Sequence, residues 1–242
     1  MCATRVIVFT GARGYRHEST EAGALAVVQL AAIAGVEAEQ TDDPAVFDDR
    51  TLAGVAAVVW MQTSGSGNLD GPQRGAYERF TAREGGFAGV HAAADGERDW
   101  PLFSRLVGAR FAGHPPGTRA ATVLRHGSHP SIDTLPDRWH WTDEWYGFDR
   151  PPAGHRVLLA LDLASIEMGE LGMPDPHPLA WAGTVGAARV WYTALGHDAQ
   201  AFEDPAFRSH LWGGIASVVG PTAEHVPAAD APADVPADAP QN

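Results

Sequence analysis

Short, almost wholly apolar runs alternate with longer stretches in which apolar residues recur every three or four positions. Over residues 1–110 this rhythm predicts strands separated by helices. Arg5–Thr10 (RVIVFT) and Val55–Met61 (VAAVVWM) read as strands buried on both faces, Val36–Gln40 as a further strand and Phe87–Val90 as a fourth. Between them, Ser19 is a suitable N-cap for a helix whose apolar stripe runs through Leu25, Val28 and Ala32 and which ends at Gly35. Asp70 and Gln73 form a capping box with Pro72 in the permissive first turn, and Tyr77 and Phe80 supply that helix with an apolar face. A last helix of this half spans Asp99–Val107, closed by Gly108.

Strands separated by helices imply right-handed crossovers and a parallel sheet with helices on both faces. Arg5–Thr10, Val55–Met61 and Phe87–Val90 should then be adjacent parallel strands, with His17 and His91 at one edge. The second half is less regular. It offers strands at Ala121–Leu124, Arg156–Leu161 and Ala188–Ala194 and a closing helix at Pro205–Val219, so the expectation is one α/β domain with a loop-rich second half. From Pro221 the chain reads PTAEHVPAADAPADVPADAPQN, with five Pro, seven Ala and four acidic residues. Such a segment cannot offset its ordering entropy by burial, and residues 221–242 are expected to be a disordered acidic tail.

Composition narrows the chemistry. The 242 residues are 45% hydrophobic, enough for one large domain that needs no staple. A single cysteine, Cys2, excludes disulfide frameworks and cysteine-rich zinc sites, and because it precedes the first strand a cysteine nucleophile is not expected. All 17 basic side chains are arginine; without lysine there is no Schiff-base or pyridoxal-phosphate chemistry and no Walker phosphate loop. A net charge of −13 without a basic stripe disfavours nucleic acid and anionic membranes. With no long apolar span or leader-like start, the chain is expected to be soluble and cytoplasmic, and its usage is that of a GC-rich bacterial genome.

In parallel sheets the ligand crevice lies beyond the carboxyl ends of the strands. There the chain delivers Tyr15-Arg16-His17-Glu18, then Gln62-Thr63-Ser64, then His91 followed by three alanines, and finally His197 after WYTALG. His91, in GGFAGVHAAA, reads as the residue on a strand–turn–helix elbow. It is a candidate general acid/base, metal ligand or hydrogen-bonding group, against the alternative of a histidine that merely caps the sheet. Its small neighbours suggest that it projects into the crevice and that alanine there would cost little stability. His17 lies before a helix start, and Arg16 could neutralise a carboxylate or pair with Glu18.

Trp139–Phe148 (WHWTDEWYGF) packs five aromatic rings and two adjacent carboxylates into ten residues. Aromatic faces beside carboxylates suit a sugar, so Asp143, Glu144, Trp145 and Tyr146 join Arg16, Thr63 and His177 as candidate substrate-binding residues. In an extended segment only one of Asp143 and Glu144 can face a given site; the competing reading is an aromatic core patch with surface acids. His114, His129 and His177 each precede proline and read as rigid loop positions, with His177 the strongest functional candidate. His17, His91, His177 and His197 could hold a divalent metal, although no fixed-spacing signature such as HExxH is present. Neither GxGxxG nor GxSxG occurs, so nucleotide binding and an α/β-hydrolase nucleophile are not expected.

RHEST, GGFAGVHAA, LVGARFAGHP, the HPS turn at His129, TDEWYGF, HPLAW and WYTALGH occur in the order and spacing of the trehalose-utilisation (ThuA-like) family, which the chain resembles across roughly Val6–Gly220. The resemblance implies a flavodoxin-like, class I glutamine amidotransferase-like fold, with histidine, here His91, where those enzymes carry their elbow cysteine. Residues 1–220 would form the ThuA-like domain. Glutaminase activity is then not expected.

The family is associated with disaccharide and glucoside catabolism, beside dehydrogenases that oxidise sugars to 3-keto forms. What this implies is a small-molecule sugar substrate, not a reaction. The further expectation is acid/base chemistry on a 3-keto-sugar or 3-keto-glycoside, because a C3 carbonyl acidifies the neighbouring C–H and one base plus one electrophile then suffice for elimination, epimerisation or isomerisation. His91 would serve as acid/base, His17 and His197 would polarise the carbonyl directly or through a metal, and Asp143 or Glu144 would hold hydroxyls. A metal-assisted glycoside hydrolase and a sugar-binding module without chemistry are the alternatives, and a homo-oligomer is compatible with the sequence.

Overall fold

The four strands expected in the first half are β1 (Arg5–Phe9), β2 (Glu37–Thr41), β3 (Val55–Met61) and β4 (Gly86–Val90), with α1 (Thr20–Ile33), α2 (Asp49–Leu52) and α3 (Gly71–Ala82) between them and α4 (Pro101–Val107) after β4. In the computed structural model, which describes residues 4–220, β1 pairs in parallel with β2 and β3, and β3 pairs in parallel with β4. The predicted adjacency of the three most apolar runs is what is observed. The sequence-predicted tail, residues 221–242, lies outside the described residues.

The second half contributes β5 (Phe111–Gly113), β6 (Arg119–Arg125), β7 (Arg138–Asp143), β8 (Gly147–Phe148), β9 (His155–Leu161), β10 (His177–Val185) and β11 (Ala188–Thr193), followed by α5 (Pro205–Val219). Seven strands thus stand where three were expected, linked by long irregular segments such as 126–137 and 162–176. β11 continues the parallel sheet beside β4, and β10, β9, β6 and β7 then add in antiparallel fashion, giving nine strands in the order β2-β1-β3-β4-β11-β10-β9-β6-β7. β5 and β8 form a separate antiparallel pair. Of the missed strands, β7 shows why: it lacks the continuous apolar run of a parallel strand. In β7, buried Trp139 and Asp143 alternate with exposed Arg138, His140 and Thr142, the pattern of a half-covered antiparallel strand.

Successive side chains of β3 define the two layers. Trp60 packs on Phe9, Tyr77 and Phe103, so α3 and α4 cover one face. Neighbouring Met61 lies against Gly23 of α1, on the face that α1 shares with α5. The α1 stripe differs from the expected one: Gly23, Ala24, Val27, Leu30 and Ala31 are buried, whereas Leu25 is 54% exposed. Close approach decides this, because a Cβ at Gly23 would come within 2.7 Å of the Met61 sulfur and 2.8 Å of the Phe202 ring. The small-residue face is the one that fits. The Asp70–Gln73 capping box is present on α3. Ser19, at the N-cap of α1, makes no cap hydrogen bond; its hydroxyl is used elsewhere. No helix among the described residues is long and apolar enough to cross a membrane.

Candidate functional site

The carboxyl ends of β1, β4 and β11 each deliver an imidazole to one place. β4 ends at Val90, and His91 turns the chain into a 3-10 segment with a φ of +49°, a left-handed conformation that costs a non-glycine residue energy. The turn is held from behind: Tyr192 Oη donates to the His91 carbonyl at 2.8 Å, and the Arg110 guanidinium donates to the carbonyls of Gly96 and Glu97. The His91 ring is 0% exposed, contrary to the expectation that it projects into open crevice. Its Nδ1 lies 2.6 Å from the Ala194 carbonyl, which can only accept, so Nδ1 carries the proton. Nε2 is then the acceptor for the Tyr146 hydroxyl at 2.9 Å. The phenol ring lies over the imidazole at 4.4 Å and closes it off.

His197 is fixed through its backbone. The N–H groups of Gly196 and His197 donate to Asp143 Oδ2 and Oδ1 at 2.8 and 3.0 Å. The Ser19 hydroxyl donates to the His197 carbonyl at 2.5 Å, and Gln62 Nε2 donates to that of Gly196 at 2.7 Å. His197 Nδ1 then sits 3.3 Å from His91 Nε2 and 3.5 Å from Glu144 Oε2. The hydrogen bond to Glu144 raises the His197 pKa against the opposing effect of burial. For Glu144, burial pushes upward, but the neighbouring imidazoles, His197 first and then His91, outweigh it and hold the carboxyl well below its ordinary range.

His17 completes the group, its ring centroid 4.8 Å from that of His91 and 5.3 Å from that of His197. Burial and the two neighbouring imidazoles lower its pKa to about 3, and its Nδ1 is buried with no hydrogen-bond partner. His17 and His91 therefore do share one edge of the sheet, as predicted. Above them opens a cavity of about 330 Å³, with His17, Glu144 and His197 in its lining beside His114, and with Tyr15, Phe111 and Tyr146 as aromatic surfaces. Its size is at the lower end for small-molecule sites.

Of the two adjacent carboxylates, Glu144 faces the cavity. Asp143, buried, spends both oxygens on N–H groups, including those of Glu144 and the Trp141 indole, so it positions the site and does not reach into it. Tyr146 is at the site, its phenol kept neutral because burial raises its pKa well above the usual value. Besides Asp143 and His91, four further expected residues do not line the cavity. Trp145 is buried, with its indole N–H on the Arg119 carbonyl at 2.8 Å. Arg16 spans the Thr10 carbonyl and Glu21 at the surface. Thr63 is wholly buried. His177 cannot join a metal cluster here, because both ring nitrogens are engaged: Nδ1 accepts from Met173 N–H at 3.1 Å and Nε2 donates to the Tyr146 carbonyl at 2.9 Å. It supports Tyr146 from behind. The residue that sequence reasoning passed over is His114, whose Nδ1 lies 3.1 Å from Glu144 Oε1. Its only signal was its place in the run GARFAGHP, where the proline suggested a plain rigid loop.

Comparison with known proteins agrees with this geometry at the level of family and fold. The family model described as trehalose utilisation (ThuA) matches residues 5–217. A ThuA-like protein from Bacteroides uniformis superposes with a TM-score of 0.72 at 19% identity, over 89% of this chain and 91% of that one. A second, from Parabacteroides merdae, gives 0.69 at 18% identity over 93% of each chain. The structure of PurLQS from Thermotoga maritima gives 0.51 at 11% identity, over 89% of this chain and 98% of that one. At such identities the likeness is one of fold. No curated protein matches the sequence.

Proposed function

Because the chain belongs to the ThuA, or trehalose-utilisation, family, we propose that it is an enzyme of carbohydrate catabolism that moves protons on a carbonyl-bearing sugar, a 3-keto-sugar or 3-keto-glycoside. The observation that carries this reading is the cavity floor, where His17, His197 and Glu144 meet the Tyr146 hydroxyl beneath aromatic surfaces. Sugar C–H faces pack on such rings, while hydroxyl and carbonyl oxygens need the polar floor.

A ketone acidifies the neighbouring C–H bond, so one base at carbon and one electrophile at oxygen suffice. We assign the base to His114. Its Nδ1 lies 3.0 Å from the Pro115 carbonyl, which orients the ring, and 3.1 Å from Glu144 Oε1, whose charge stabilises the imidazolium once Nε2 has taken the proton. The electron pair released from the C–H bond moves onto the ketone oxygen, giving an enediolate that His197 stabilises, joined by the Tyr146 hydroxyl once its proton turns from His91 Nε2 to the substrate oxygen. Return of the proton to the other face yields an epimer, return to the adjacent carbon an isomer, and departure of a β-substituent an elimination product. His91, hidden behind Tyr146, acts as a positioning residue.

The test is deuterium incorporation beside the carbonyl of 3-keto-glucosides, followed by NMR in D2O. Wild-type protein should catalyse wash-in, His114→Gln should slow it by about 100-fold or more, and unoxidised glycosides should be inert. Absence of both exchange and turnover across oxidised glycosides would end this reading.

A further inference from the structure

The polar floor has a feature that proton transfer alone does not require. His91 Nε2, His197 Nδ1 and Glu144 Oε2 form a nearly equilateral triangle with edges of 3.3, 3.5 and 3.6 Å. Ligands about 2.0–2.2 Å from a tetrahedral zinc ion stand roughly 3.3–3.6 Å apart. His17 supplies a fourth donor, and all four donor atoms lie within 4.8 Å of one another. We propose that His17, His91, His197 and Glu144 form a binding site for one divalent transition-metal ion of the zinc class.

Three further observations support the assignment. The His91 tautomer is set by its Nδ1–H on the Ala194 carbonyl, which leaves Nε2, a vertex of the triangle, unprotonated and able to ligate once the Tyr146 hydroxyl releases it. An imidazole whose second nitrogen donates to a backbone carbonyl is the usual arrangement of a metal-bound histidine. Asp143 and Ser19 secure the backbone of His197, so this ligand is also oriented in advance. His17 carries a buried Nδ1 with no partner among the described residues, an unmet lone pair beside the cluster. Buried polar atoms are nearly always paired, and the exceptions point to an absent ion, water or ligand.

The donor set also selects among cations. Three imidazoles and one carboxylate suit zinc, cobalt, nickel or iron, whereas magnesium and calcium prefer oxygen ligands. Three neutral imidazoles and one carboxylate leave a bound dication with a net charge of +1, suited to an enolate oxygen arriving from the cavity side. Tyr146 Oη, released from His91 Nε2, and His114, on the other oxygen of Glu144, stay available to the substrate. The site deepens the proposed sugar chemistry and rests on it for the ion's task, not for binding itself.

The test is direct metal binding by the full chain after chelator treatment. Calorimetric titration with Zn2+ should show one equivalent bound, Co2+ should give the absorption of a four- or five-coordinate ion, and Mg2+ should give neither. His91→Ala, His197→Ala and Glu144→Gln, each checked for fold by circular dichroism, should weaken Zn2+ binding by about 100-fold or more; the exposed His140→Ala should not. Glu144→Gln keeps the side-chain shape, so it remains informative if a histidine variant fails to fold. Absence of stoichiometric binding, or binding indifferent to folded variants of the cluster, overturns the proposal. Zn2+ binding without proton exchange on keto-glycosides would retain the metal site and remove the sugar reading. Exchange that persists in chelator-treated protein unable to bind metal would do the reverse.

Discussion

The carboxylate of Asp143 receives the backbone N–H of His197 at 3.0 Å, across 54 residues of sequence, and so fixes where that imidazole stands. The same carboxylate takes the N–H groups of Gly196, Glu144 and the Trp141 indole. Each is a donor, and none makes another hydrogen bond among the described residues.

Asp143→Asn replaces one acceptor oxygen by an NH2 group that must face a donor. A buried donor left unpaired costs about 1–3 kcal/mol. Chemical denaturation should show a loss of that order, and Zn2+ affinity should fall by about 10–100-fold, the usual effect of removing a group that orients a ligand. Unchanged affinity in a folded Asp143→Asn protein would remove Asp143 from the positioning role.

His91 is costlier to replace than its small neighbours suggested. His91→Ala removes the partner of the buried Ala194 carbonyl and of the Tyr146 hydroxyl, for an expected loss of about 1–3 kcal/mol. The φ of +49° adds a second, separable effect. Glycine tolerates that conformation and alanine does not, so His91→Gly should be more stable than His91→Ala by about 1 kcal/mol. Urea denaturation of the two variants side by side gives the order; the reverse order would show that the turn relaxes.

His210 makes stability depend on pH. Its ring is wholly buried between the Ser131 carbonyl and Thr193 Oγ1, and burial lowers its pKa to about 4. In the unfolded chain an imidazole titrates near 6.5. The unfolded state therefore binds the extra proton between about pH 6.5 and 4, and this contribution to stability is intact above that window and lost as pH falls through it. The slope is about 1.4 kcal/mol per pH unit. His210→Asn should flatten the stability profile between pH 7 and 5 relative to wild type; parallel profiles would show that His210 is not the group responsible.

Two glycines should respond to alanine with opposite sign. In α5, a Cβ at Gly214 would overlap the Trp191 indole of β11, so Gly214→Ala should destabilise by about 1–3 kcal/mol through overpacking. In α3, a Cβ at Gly75 meets only the Arg79 guanidinium at 3.4 Å, and Gly75→Ala should stabilise by about 0.5–1 kcal/mol through helix propensity. Thermal midpoints of the two variants, moving in opposite directions, are the check.

What could be read from the chain alone was whatever is encoded within a few residues. β3 and α5 have the boundaries that their apolar runs predict, the Asp70–Gln73 box caps α3, and β1, β3 and β4 pair in parallel as their two-sided burial requires. The strand-end rule then brought His17, His91 and His197 to one edge, because residues after parallel strands must emerge there. The environment of each imidazole was decided by residues far away in sequence. Tyr146, 55 residues beyond His91, lies over its ring and turns a predicted open crevice into a buried hydrogen bond. His114 gains its role only where Glu144 meets it. Alternation could say that Asp143 and Glu144 point apart, but only the pairing of β7 with β6 and the approach of the β11 end determine which one faces the cavity. Local periodicity records which faces are covered. Which partners cover them is a property of long-range contacts, and those form only when the chain is folded.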